Sequence, residues 1–187
     1  MAIKKYEHID NEDLAGQLLV SAPYLEGGGF DHSVIFLTHV EERFIIGHIL
    51  NHPTGQKVGE VAQHAGIPKE LYSVPLYKGG PVERNQLIFA AFVKTKDNFR
   101  IQFNLQETQA LEYLKNPGAL LRAYVGHSSW SQSQLRRELK DRAWYVSTMI
   151  PDICIEPDSS KVWDMAMRRL SPLHHIMSHA PAQPNLN

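Results

Sequence analysis

The pentapeptide Gly126-His127-Ser128-Ser129-Trp130 opens like the G-x-S-x-G elbow, in which a sharp strand-to-helix turn exposes a serine hydroxyl for nucleophilic attack. It lies between an apolar run, Ala119 to Val125, and a segment of helical character, so its context suits that turn. Trp130 breaks the pattern, because the elbow needs its second glycine to pack the backbone tightly. No Asp followed by His is evidently placed to complete a triad, although His174, His175 and His179 lie downstream. The competing reading is structural: Ser131 caps the following helix and Trp130 is an anchor held by packing.

Ten histidines invite a metal, and His175 with His179 stand at i, i+4. A site needs a third ligand in fixed geometry, which a Pro-flanked tail does not supply, so neither a metal nor another cofactor is expected. His39, His48 and His52 surround two apolar runs, where ordinary hydrogen-bonded histidines are the expectation. Cys154, between Ile153 and Ile155 and near carboxylates, lacks the electropositive surroundings that activate a thiol, and reads as buried and inert.

Gly79-Gly80-Pro81-Val82 carries no reactive side chain, yet two adjacent glycines give up conformational entropy that a special backbone geometry or a close approach would justify. Its backbone N–H groups form an anion-binding nest in one reading, with Lys78 and Arg84 supplying charge. In the other it only reverses the chain between strands. Arg136, Arg137, Lys140 and Arg142 make the helix after Trp130 the most basic stretch, but Arg137 with Asp141 and Glu138 with Arg142 are spaced to pair on that helix. That mixed charge disfavours direct nucleic-acid binding, which calls for an unbalanced basic face.

The elements around these residues are legible from periodicity and turn signals. Gly16 to Ala22, Ser33 to Thr38 and Phe44 to Leu50 read as strands apolar on successive positions, as when both faces are covered. Pro23 to Phe30, with Gly27-Gly28-Gly29, reads as a long loop. Lys57 to Ala65 has helical spacing with Gly66 at C′. Leu87 to Val93 and Phe99 to Phe103 form a hairpin, and Asn104 with Glu107 cap a helix running to Asn116. Ala119 to Val125 is a strand, Gln132 to Arg142 a helix, Trp144 to Met149 a strand and Val162 to Leu170 an amphipathic helix. Asp152 to Asp158 alternates acidic and apolar groups, as an exposed strand or loop would. Alternating elements without a dividing linker predict one domain over residues 1–187, with 171–187 as a loosely ordered tail.

Bulk composition limits the function classes. A chain of 187 residues, 43% hydrophobic and 21% charged, suits one globular core. A net charge of −1 provides no global field toward nucleic acid or an anionic membrane. No apolar stretch approaches the roughly 20 residues that span a bilayer. The N-terminus lacks an apolar signal region, and one cysteine excludes an intrachain disulfide, so a cytoplasmic location is expected.

Taken together, these segments resemble the YqgE/AlgH family of bacterial proteins from about Leu14 to Leu170. The resemblance rests on Gly16 to Val20 with Pro23 and Leu25, Phe30 with Ser33 to Leu37, Gly47 to Pro53, and Gly79-Gly80-Pro81-Val82. Gly126, Trp130, Gln134-Leu135, Glu138, Trp144 and Trp163 to Leu170 complete it. It implies an α+β fold on a mixed, bulged β-sheet with helices packed on it. It also brings a transcriptional-regulator label and no established catalytic residues. The family pattern has an aromatic residue after Gly126 and glycines near 129 and 133, where this chain has His127, Ser129 and Ser133. The leading expectation is a protein that binds a small molecule or a protein partner without catalysis, through ligand-binding residues Asn51, Gly79, Gly80 and Trp130. The alternatives are a hydrolase or transferase using Ser128 with a histidine, and a DNA-binding regulator.

Overall fold

In the computed structural model, which describes residues 14–25, 27–61 and 66–170, nine strands form a mixed sheet with helices packed on it. The strands are β1 (Leu18–Ser21), β2 (Val34–Val40), β3 (Ile45–Ile49), β4 (Pro53–Lys57), β5 (Pro75–Lys78), β6 (Val82–Lys94), β7 (Phe99–Leu105), β8 (Ala119–Trp130) and β9 (Trp144–Ser147). The helices are α1 (Val58–Val61), α2 (Glu107–Leu114), α3 (Gln132–Lys140), α4 (Pro151–Cys154) and α5 (Ser159–Leu170), with a 3₁₀ turn at Lys69–Ser73. Strand order is β4-β5-β8-β3-β2-β1-β9, and the β6–β7 hairpin joins through β8. The pairings are antiparallel except that of β5 with β8. Register shifts interrupt β2–β3, β4–β5, β6–β7 and β6–β8, so the sheet is both mixed and bulged.

The successive apolar positions have the physical cause inferred from the pattern: both sheet faces are covered. In β1, Leu18 and Val20 enter a core with α4 and α5, while Leu19 enters one with α3. In β6, Ala90 and Phe92 share the first of these cores, whereas Phe89, Ala91 and Val93 join Ala110 of α2 in a third. On α5 the predicted stripe holds: Trp163, Ala166 and Met167 are buried.

Several local expectations are corrected. The polar Pro53–Lys57 segment is strand β4, because Thr54 Oγ1 donates to the Leu76 carbonyl and Pro53 and Lys57 pair with β5. The predicted Lys57–Ala65 helix is seen over Val58–Val61; residues 62–65 lie outside the described segments. Asn104 does not cap α2: it sits in β7 at φ 58°, and Gln106 forms a reciprocal capping box with Gln109 instead. Pro151–Cys154 is a short helix rather than an exposed strand, with its apolar Ile153 and Cys154 turned inward. The histidine-bearing tail lies outside the described residues. Among those described, no helix is long and apolar enough to cross a membrane.

Candidate functional site

β8 is longer than its apolar run. It continues through Trp130 because β3 pairs with its last residues, Gly47 with Ser128 and Ile45 with Trp130. Residues 126–130 are therefore strand, not an elbow, with Gly126 at φ +71° breaking the regular backbone. Ala123 pairs with Leu76 of β5 on one edge and with Phe89 of β6 on the other, so β5 and β6 flank β8. Lys78 lies opposite Val125 and Val82 opposite His127, and the Gly79-Gly80-Pro81 link must pass across β8 between them.

That crossing explains the glycines. A Cβ on Gly79 would collide with the Gly126 carbonyl oxygen, and one on Gly80, at φ +155°, with the His127 carbonyl and the Ser128 nitrogen. A Cβ on Gly126 would stand 2.6 Å from the Gly80 oxygen. Two stretches of backbone meet with no room for side chains. Gly79 is also committed by hydrogen bonds: its N–H donates to the Val125 carbonyl at 2.9 Å, and its carbonyl accepts from Ile49 N at 3.0 Å and from Ser128 Oγ at 3.3 Å. The Gly79 amide is thus engaged within the sheet rather than in an anion nest. Ser128 is fully buried, and its hydroxyl serves this crossing.

Asn51 stands at the same junction, since Lys78 N donates to the His52 carbonyl at 2.8 Å. It is 7% exposed; its Oδ1 accepts from Val34 N at 2.9 Å and its Nδ2 donates to the His32 carbonyl at 2.8 Å. Asn51 is thus adjacent in sequence to a residue that meets Lys78, just before Gly79, while its own side chain is spent on Val34 and His32. Trp130 shares the strand but turns its ring into the α3 core, against Phe30 and edge-on to Trp144 at 5.9 Å. Its indole N–H donates to Glu138 Oε2 at 2.9 Å, and Trp144 donates to the same oxygen at 2.8 Å, while Gln134 Nε2 donates to Oε1 at 2.8 Å. Glu138 is consequently drawn inward, and the expected Glu138–Arg142 pair does not form. Ser131 does cap α3, accepting from Gln134 N at 3.2 Å.

The titratable groups beside the crossing are histidines. His48 stacks on Phe103 at 4.5 Å, with His127 at 6.3 Å. Burial, reinforced by His127 and His39, lowers its pKa to about 3, so it is a neutral ring under ordinary conditions. His127 Nδ1 lies 3.7 Å from Glu83 Oε2, at the outer side of the crossing.

One contact has no signature in the sequence. Ser33 Oγ lies 3.3 Å from His52 Nε2, which also lies 3.1 Å from the Asp31 carbonyl oxygen. Burial lowers the His52 pKa. Ser33 is fully buried, and the imidazole meets the backbone of Asp31 rather than its carboxylate. The arrangement fastens Asp31 and Ser33, just before β2, to His52 beyond the end of β3, and lacks the oriented base of a hydrolytic triad. Nineteen residues separate the two partners. Among the described residues, no group of three His, Cys, Asp or Glu is placed to hold a metal ion.

The sequence profile of the AlgH-like family matches residues 18–174. The chain belongs to the AlgH-like family. Curated relatives named UPF0301 protein agree along nearly their full lengths: that of Parabacteroides distasonis is 26% identical over 195 residues, covering 99% of this chain and 97% of its own. The one from Thermobifida fusca is 28% identical over 201 residues, covering 96% and 98%. Among solved structures, a Corynebacterium diphtheriae protein superposes with a TM-score of 0.72 at 24% identity, covering 92% of this chain and 95% of that one. The AlgH protein of Pseudomonas aeruginosa superposes with a TM-score of 0.63 at 20% identity, covering 94% and 98%. These likenesses establish the AlgH-like fold. Within it, the residues that carried the family resemblance assemble two structural features, the glycine crossing and the indole–carboxylate node.

Proposed function

We propose that this AlgH-like protein is a non-catalytic, cytoplasmic binding protein that receives a small molecule or a protein partner at the rim of the crossing, around Asn51, Gly79, Gly80 and the β8 end that carries Trp130. The observation that carries the reading is the Ser128 hydroxyl, buried and bonded to the Gly79 carbonyl. The serine that sequence order offers as a nucleophile instead serves the scaffold. Partly exposed Gly80 and His127, with exposed Lys78 and Glu83, supply polar groups at the rim. The buried, unactivated thiol of Cys154 agrees with a reducing compartment.

The test is a pair of measurements on the full chain: amide chemical shifts during a metabolite-mixture titration, and labelling by a serine-directed acylating reagent. Shifts confined to Lys78, Gly80, Glu83 and His127, without labelling of Ser128, are expected. Stoichiometric acylation of Ser128 would overturn the non-catalytic reading, and shifts confined elsewhere would overturn the placement.

One observation favours a second reading, direct nucleic-acid contact in a regulatory role. Glu138 faces inward, and among the described residues Arg137, Lys140 and Arg142 stand exposed without an ion-pair partner. The outer face of α3 is more basic than helix spacing alone suggests. Duplex binding that weakens steeply with salt and is lost in Arg137→Ala/Lys140→Ala would support this reading; no binding at low salt removes it.

A further inference from the structure

Arg122 projects from β8 into the core shared with α4 and α5 and is only 3% exposed. Its guanidinium lies between two aromatic rings, 4.8 Å from the Tyr77 centroid and 4.9 Å from that of Phe92. Nη1 donates to the Leu50 carbonyl at 3.3 Å and Nη2 to the Glu156 carbonyl at 3.4 Å. A guanidinium carries five N–H donors, so two long bonds leave most of its capacity unused. Among the described residues no carboxylate forms an ion pair with it. Buried charges are normally paired, because leaving water is expensive for an isolated ion.

The neighbouring side chains do not supply the missing charge. Tyr124 is fully buried beside Arg122; burial, opposed by the guanidinium's charge, pushes its pKa up to about 12. It is therefore a neutral phenol, and among the described residues its hydroxyl proton meets no acceptor. Burial likewise pushes the Cys154 thiol up to about 12 against the pull of Arg122, so no thiolate forms there. Among the described residues the surplus is one positive charge together with unsatisfied donors.

We propose that Arg122 and Tyr124 hold a small monovalent anion, such as chloride, inside the protein. One anion balances one guanidinium, accepts from several donors and brings no proton of its own. An internal water, by contrast, could accept from the same donors but would leave the guanidinium charge unbalanced. The site is independent of the surface at the glycine crossing. Because its residues are buried, the anion enters when the core opens locally or as the chain folds.

The test compares thermal unfolding of the full chain in sodium chloride, bromide and gluconate at fixed ionic strength. Chloride and bromide are expected to raise the midpoint by roughly 2–4 °C over gluconate, with saturation, as for a ligand that binds only the folded state. Tyr124→Phe keeps the shape but removes one donor, and is expected to lose most of that ion-specific rise. Arg122→Met is expected to abolish it; should that variant fail to fold, Tyr124→Phe and a bromide-grown crystal decide. Such a crystal should show an anomalous peak within hydrogen-bond reach of the Arg122 guanidinium and Tyr124 Oη. Equal midpoints in chloride and gluconate, an undiminished rise in Tyr124→Phe, or no anomalous peak at that place would overturn the proposal.

Discussion

Trp130 and Glu138, eight residues apart, are joined by an indole-to-carboxylate hydrogen bond of 2.9 Å that ties the end of β8 to the inward side of α3. The same oxygen receives Trp144 from β9, so one carboxylate clamps two strands and a helix around a largely apolar cluster. Charge-assisted bonds of this kind are stronger than neutral ones, and their loss leaves buried donors unpaired.

Glu138→Ala is accordingly expected to cost about 2–4 kcal/mol of unfolding free energy, since two indole N–H groups lose their acceptor. Glu138→Gln keeps one amide oxygen and should cost less. Urea unfolding followed by tryptophan fluorescence checks both, and a loss below about 0.5 kcal/mol for the alanine variant would refute the clamp.

With Glu138 turned inward, Arg137 and Lys140 make no ion pair among the described residues. Arg137→Ala and Lys140→Ala should each change stability by less than about 0.5 kcal/mol, as surface substitutions away from specific contacts usually do. A loss approaching 2 kcal/mol in either variant would show a role for these cations in holding the fold.

The glycine crossing predicts a contrast between two positive-φ glycines. Gly27 at φ +82° has nothing within 4 Å of an added Cβ, so Gly27→Ala should cost about 1–2 kcal/mol for the left-handed backbone alone. Gly126→Ala adds contacts of 2.6 and 2.8 Å to the Gly80 and Val82 carbonyl oxygens. Its cost should exceed that of Gly27→Ala by at least about 2 kcal/mol, in the range of backbone strain and overpacking. Equal melting temperatures for the two variants would contradict the close crossing.

His48 ties stability to acid pH. Its pKa is lowered from 6.5 to about 3 by burial, then by His127 and His39, so between those values the unfolded chain binds the extra proton. Its contribution is present above pH 6.5 and declines as pH falls toward 3, with a limiting slope of about 1.4 kcal/mol per pH unit. Unfolding free energies at pH 4.5, 5.5 and 6.5 should fall more steeply for the wild-type chain than for His48→Gln. Parallel profiles would show that the ring is not buried neutral.

Alkaline conditions act in the opposite sense. Burial raises Tyr124 from 10 and Cys154 from 9 to about 12. Both groups therefore contribute stability below their unfolded values, and lose it as pH rises toward 12. Tyr124→Phe should flatten the decline between pH 10 and 12, as read by denaturant titration; an unchanged profile would argue against the buried phenol.

Much of this protein is legible in local physics along the chain. Apolar runs on successive positions announced strands covered on both faces, and the spacing of Trp163, Ala166 and Met167 announced the buried stripe of α5. Ser131 was readable as a cap because capping is a contact between near neighbours. Gly79-Gly80 was readable as a place of special backbone need, since only close approach or unusual dihedrals favour such a pair. What the chain crosses there is set by β5, β6 and β8, whose pairing partners lie far apart in sequence.

The same division separates the side-chain roles. Helix spacing correctly says that Glu138 and Arg142 are within reach, but two indoles from β8 and β9 compete for the carboxylate and win in a drier setting. Ser128 sits in a sequence context that suits a nucleophile, yet β3 pairing extends the strand and Gly79 takes the hydroxyl. Arg122 looks like an ordinary strand cation until the rings of Tyr77 and Phe92 close on its guanidinium. Sequence determined which residues favour strand, helix and turn, because those preferences depend on neighbours along the chain. Tertiary structure decided which polar groups lose water and what they meet instead, because burial and long-range pairing exist only once the sheet and helices have packed.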